Sequence, residues 1–174
     1  MIWTRASAIK SFLVRILEGA LVVAFAVLTL DVLWGVVSRY VLGEQSRWTE
    51  ELAIYLLIWI ALLGAPVAYA EKAHLGVDYL VGKMHPAAQR LAAVSVEVIV
   101  GGFATVALVH GGWLLMTKTL AAGQMSPALG IPMGYVYAAT PLSGAFFILF
   151  IASNLVHLVA ARAGEKQARA SQSQ

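Results

Sequence analysis

The sequence contains no cysteine in 174 residues. Disulfides, thiolate nucleophiles and Cys-ligated metal or iron–sulfur sites are therefore excluded. Charge is scarce too. Asp, Glu, Lys and Arg make up 12% of the chain, about half the roughly 25% carried by a soluble domain. There is no GxSxG element, no paired-acid nucleophile site and no phosphate-cradling glycine loop. Nothing therefore points to an enzyme, a resident metal or a cofactor. What remains is apolar: 60% of residues are hydrophobic and the mean hydropathy is +0.80.

That apolar content is gathered into four stretches, at about 16–38, 50–70, 91–116 and 133–161. Each is long enough to cross a hydrocarbon core of ~30 Å, which takes ~20 helical residues. The fold class expected is an all-α integral membrane protein with four long, tilted transmembrane helices. Residues 1–162 form one membrane domain, and 163–174 read as a disordered tail. Residues 8–17 place Ile9, Phe12, Leu13, Ile16 and Leu17 on one helical face, which suggests a short N-terminal amphipathic interfacial helix. A plain extension of the first span is the other reading. The apolar run 16–38 exceeds the 7–15 residues of a signal-peptide h-region, so it is read as a retained span.

Basic residues set the expected orientation. Arg5, Lys10, Arg15, Lys72, Lys83, Arg90, Arg162, Lys166 and Arg169 fall on the side of the termini, against Arg39, Arg47 and Lys118 on the other. The positive-inside rule then places both termini in the cytoplasm. In this setting the net charge of +3 reads as a topology signal rather than a nucleic-acid footprint.

Thr49-Glu50-Glu51 opens the second span as a helix start, with Thr49 as the cap and two acids at the positive end of the dipole. Ala61, Gly64, Ala65 and Ala68 give overlapping small-xxx-small spacing, the pattern of a helix-packing face in lipid. Pro66 bends that helix, Pro86 suits the first turn of the third, and Pro141 kinks the fourth near Tyr137. Loop residues 71–85 read as a short interfacial piece, with His74 and Asp78 an i, i+4 pair.

Ionisable groups inside spans need partners or a function. Glu18 lies near Arg15, and Glu97 sits two turns from Arg90 as a structural pair. Asp31 is the deepest acid. Its expected partner is His110, either as an interhelical hydrogen bond or as a proton or cation relay. His110 and His157 fall near opposite ends of their helices, too far apart to hold one haem.

Several motifs then occur together in a fixed order. Arg39-Tyr40, Arg47-Trp48-Thr49-Glu50-Glu51, Trp59, Leu63-Gly64-Ala65 and His74-Leu75-Gly76-Val77-Asp78 come first. Ser126-Pro127-Ala128-Leu129-Gly130-Ile131-Pro132, Tyr135, Tyr137 and Pro141-Leu142-Ser143-Gly144 follow. Together they resemble the small permease subunit of TRAP transporters, the DctQ-like family. The resemblance implies a bacterial inner-membrane subunit of a sodium-driven importer of organic acids. Its partners would be a large elevator-type membrane subunit and a periplasmic substrate-binding protein, and its role a scaffold that binds no substrate itself. Arg39, Arg47, Glu50 and Glu51 then read either as a periplasmic rim where subunits or the binding protein dock, or as ordinary dipole capping and solvated loop charge. The face against the large subunit is expected on the second span, with parts of the third and fourth. The alternative from another class is a self-sufficient homo-oligomeric channel or transporter, with Asp31, Glu97 and His110 lining a shared path. A membrane-bound electron-transfer subunit is disfavoured by the histidine placement.

Overall fold

The computed structural model describes residues 2–44, 46–71 and 85–172, and the side chains among them between 10 and 155 apart from 86, 87, 90 and 93. Every regular element in that set is helical. α1 is Ile2–Val41 and α2 is Arg47–Ala70. α3 (Pro86–Phe103), a π-helical stretch (Ala104–Gly111) and α4 (Gly112–Ala121) follow one another without a break as a third rod. α5 (Met133–Tyr137) and α6 (Ala139–Gln172) form the fourth. Four helices are long and apolar enough to cross a membrane: Lys10–Val41, Arg47–Ala70, Val94–Ala121 and Met133–Leu155. The four expected spans are all present.

Their ends differ from expectation in instructive ways. Residues 8–17 are not a separate interfacial helix but the first part of α1, which runs on unbroken. No proline interrupts it, and Leu13, Val14 and Leu17 already pack into the core. α2 starts at Arg47, so Thr49 lies inside the first turn rather than capping it. Its hydroxyl donates backwards to the Ser46 carbonyl at 2.7 Å. The third rod begins at Pro86 and runs beyond Met116 to Ala121. The fourth breaks at Ala138, because Pro141 lacks the N–H that would bond Tyr137 and its ring crowds that carbonyl. α6 continues to Gln172, through the segment expected to be a disordered tail. Its Ala, Glu, Lys, Gln and Arg residues are good helix formers.

α1 shows how a helix in lipid chooses its inner face. Lys10, Val14, Leu17, Leu21, Ala24, Leu28, Asp31, Gly35 and Ser38 are buried or half-buried, at spacings that alternate four and three. This is the seam of a helix lying along an antiparallel neighbour, and that neighbour is chiefly α2. The main core cluster joins Leu17, Leu63, Val67, Tyr69, Ala70, Phe150 and Ile151, drawn from α1, α2 and α6. The Tyr69 and Phe147 rings meet at 5.6 Å, and Phe146 stacks on Phe150 at 6.2 Å. Outside the seam, Val22, Phe25, Leu30, Ile99, Phe103, Val106 and Trp113 are exposed. In water such a surface would be an aggregation site; in lipid it is solvated.

Candidate functional site

Charge and hydrogen bonding concentrate at three places in the bundle. The first lies at the end opposite the termini. α4 stops in a Schellman motif: Gly123, at φ +61°, sends its N–H to Leu120, and Gln124 sends its N–H to Thr119. The chain then makes a narrow turn. Ser126 N–H bonds the Ile131 carbonyl, Met133 N–H bonds the Gln124 carbonyl, and Gly130 takes φ +64°. Glu51 of α2 closes this turn. One oxygen, Oε2, accepts from Ser126 Oγ at 3.0 Å, Ala128 N–H at 2.9 Å and Leu129 N–H at 2.8 Å. One helical turn on, Tyr55 donates to Met133 Sδ at 3.1 Å. The two motifs that stand 75 residues apart in the chain are thus one structural unit. Glu51 faces inward here, whereas its neighbours Arg39, Arg47 and Glu50 are exposed at the rim.

The second place is the end that carries the termini. Tyr69 of α2 donates to Glu97 Oε2 of α3. Asn154 of α6 donates from Nδ2 to Glu97 Oε1 at 3.4 Å, and Lys10 of α1 donates to Asn154 Oδ1 at 2.9 Å. All four rods contribute one member. The hydrogen-bond partners of Glu97 are Tyr69 and Asn154, which sequence spacing does not reveal.

Between the ends, hydrogen bonds and close packing join the rods. Pro66 removes the N–H that would bond the Leu62 carbonyl. Ser143, fully buried on α6, donates its hydroxyl to that carbonyl instead. Neighbouring Ser side chains commonly rescue a carbonyl freed by proline in membrane helices. Close packing against the π-helical stretch and α4 depends on glycine. A Cβ on Gly112 would lie 2.9 Å from Pro141 N and Cδ, and one on Gly144 2.7 Å from Val109 Cγ2. Of the adjacent pair Gly111 and Gly112, Gly112 is the one pressed against Pro141, whereas Gly102 has nothing within 4 Å.

Asp31 is the third place and the exception. It occupies a seam position of α1 facing α2, is only 6% exposed, and neither carboxylate oxygen has a hydrogen-bond partner. A charged group at such depth costs ~2.5–3.5 kcal/mol on insertion scales. His110, its expected partner, is exposed on the π-helical stretch instead. The pairing is absent because α1 packs on α2, which keeps the π-helical stretch off Asp31. A side-opening groove of about 330 Å³ adjoins Asp31, lined among others by Gly35, Arg39, Thr49, Glu50 and Ala53. Arg39 stays at the mouth, its guanidinium 5.9 Å from the Tyr40 ring centroid. Among the described residues no group of three or more His, Asp or Glu gathers to hold a metal.

Of the small-residue face, Ala61, Ala65 and Ala68 are exposed, while Gly64 turns inward to within 4.0 Å of Leu21. His74 and Asp78 lie outside the described residues. Sequence reading missed Ser126, Ser143, Tyr69, Asn154 and Lys10 as partners, because each meets its counterpart across tens of residues.

Residues 28–161 match the family model for the DctQ component of tripartite ATP-independent periplasmic transporters. The chain belongs to this family. It is a multi-pass membrane protein of the TRAP small-permease type, a transporter-permease family rather than an enzyme family. It is 26% identical over 152 residues to a Haemophilus influenzae protein that carries the name of a TRAP transporter small permease; the match covers 87% of this chain and 92% of the relative. It is similar to the isethionate TRAP permease DctMQ of Oleidesulfovibrio alaskensis, with 29% identity over 143 residues, covering 81% of this chain and 22% of that much longer protein. The C4-dicarboxylate small permease DctQ of Rhodobacter capsulatus is 29% identical over 100 residues, covering 58% and 44% of the two chains.

Proposed function

We propose that this chain is the static membrane subunit of a sodium-coupled TRAP importer of organic acids in a bacterial inner membrane. It braces a large transporting subunit and itself binds no substrate. The observation that supports this reading is where the interior polar groups go. Glu51, Glu97, Tyr69, Ser143 and Asn154 are all engaged in holding rods or the 123–133 turn to one another. The DctMQ relative, in which a homologous segment makes up about a fifth of a larger permease, supports a large-subunit partner. Carboxylate and sulfonate names among the relatives support an organic-acid substrate. Both termini sit in the cytoplasm in this reading, with the rim of Arg39, Arg47 and Glu50 facing the periplasm and its binding protein.

Reconstitution tests it. Proteoliposomes with the large subunit and binding protein take up substrate only when this chain is included. Spin labels on Trp34 and His110, both exposed, keep one distance distribution with and without sodium and substrate. Uptake by this chain alone, or a label distance that switches with substrate, overturns the scaffold. The homo-oligomeric channel is less well supported: Asp31, Glu97 and His110 lie respectively in the α1–α2 seam, at the termini end and on the outer surface.

A further inference from the structure

Asp31 lies ten residues before the end of α1, about 15 Å into the bundle at 1.5 Å per residue. That lies within a ~30 Å core, in the half nearer Arg39. Its carboxylate is buried, has no donor within the chain, and adjoins a groove that opens sideways between α1 and α2. Gly35 and Ala53 leave the space, and Thr49 packs against Gly35 on the far wall, its Oγ1 3.3 Å from where a Cβ would be. The charged groups facing the groove are Arg39 and Glu50, both exposed at its mouth. A continuous outer stripe of α2 runs on from it: Glu50, Ile54, Leu57, Ala61, Ala65 and Ala68 share one helical face and are all exposed.

We infer that this groove seats a lysine or arginine side chain from a transmembrane helix of the large membrane subunit, which lies along the α2 stripe and pairs its cation with Asp31. The inference rests on the scaffold reading above and names the contact that makes it work. Intramembrane carboxylates pair with cations, and small residues such as Ala61, Ala65 and Ala68 let a foreign helix approach closely. A second copy of this chain does not supply the cation. Lys10, Arg15, Arg39, Arg47 and Lys118, the basic residues with described side chains, all lie near one end or the other of the rods. A lipid amine stays at the headgroup level, outside the core in which Asp31 lies.

The test places the photo-cross-linking amino acid p-benzoylphenylalanine at Val32, an exposed groove residue. The chain is co-expressed with the large subunit of the same transporter. Irradiated membranes give an adduct of the two chains, mapped within a turn of a Lys or Arg in the large subunit. Separately, Asp31→Asn lowers co-purification of the large subunit about tenfold, whereas Asp31→Glu retains it. An adduct to lipid or to a second copy of this chain overturns the inference. So does undiminished co-purification with Asp31→Asn. Should that variant fail to reach the membrane, the cross-link with Asp31 intact decides alone. If the unaltered chain recovers no large subunit, the scaffold reading falls, and this inference with it. Normal recovery that ignores Asp31 removes the inference only.

Discussion

One carboxylate oxygen of Glu51 receives three donors, two of them backbone N–H groups that nothing else in the turn satisfies. Hydrogen bonds to a charged group contribute ~1.5–3 kcal/mol. Glu51→Ala should therefore loosen the 123–133 turn, and hydrogen exchange at Ala128 and Leu129 should quicken about ten- to a hundredfold at ~1.4 kcal/mol per decade. Glu50→Ala, at an exposed neighbouring position, should leave both the exchange and the stability within ~0.5 kcal/mol. Tyr69→Phe tests the other end. It leaves one Glu97 oxygen unbonded, so unfolding in detergent should come earlier, with the N-terminal part of α1 released to protease with its Lys10 tether weakened. What a sequence reveals at this scale is chemistry without partners. Two acids at a helix start are visible in Glu50-Glu51. That the second of them holds the 123–133 turn depends on a chain reversal 75 residues later, and no local pattern encodes it.

At the scale of the element the reading is nearly complete, because the cause is local. Four apolar runs of spanning length produce four helices, and Pro86 and Pro141 mark a start and a break through geometry that proline imposes on its own turn. Ends are harder to place, since α1, the third rod and α6 outrun their apolar cores wherever the flanking residues are good helix formers. The π-helical stretch was not legible at all. It accompanies tight packing against α6, and the residues that permit that packing are glycines with no signature of their own. Gly144→Ala pushes a methyl group into Leu108 and Val109 and should destabilise by ~1–3 kcal/mol, read as an earlier thermal transition in detergent. Gly102→Ala meets nothing within 4 Å and should be neutral or stabilising by up to ~1 kcal/mol. Equal effects of the two would mean that the third and fourth rods are not notched together at Gly144.

The whole molecule is a bundle whose outer surface is apolar and whose polar side chains are drawn to its two ends and its seams. An absence noted at the outset makes its orientation easy to test, since a cysteine-free chain reports only the thiol that is introduced. In intact cells Glu44→Cys should react with a membrane-impermeant maleimide. Ser171→Cys should react only after lysis. The reverse pattern would invert the assigned topology and move the Arg39–Glu50 rim to the cytoplasm. Composition alone makes the bilayer the solvent. Which rod lies against which, and so which face is left for another protein, depends on seams that only the folded chain displays.

The pairing of Pro66 with Ser143 also constrains the history open to this sequence. With Pro66 in place, the Leu62 carbonyl depends on a hydroxyl from another rod, so losing Ser143 first strands a buried acceptor. Were Pro66 lost first, the ordinary helical N–H would return, and Ser143 would be free to drift. The two substitutions are accessible in one order and closed in the other. A lineage that carries both residues therefore leaves the pair most easily by way of Pro66, with Ser143 following.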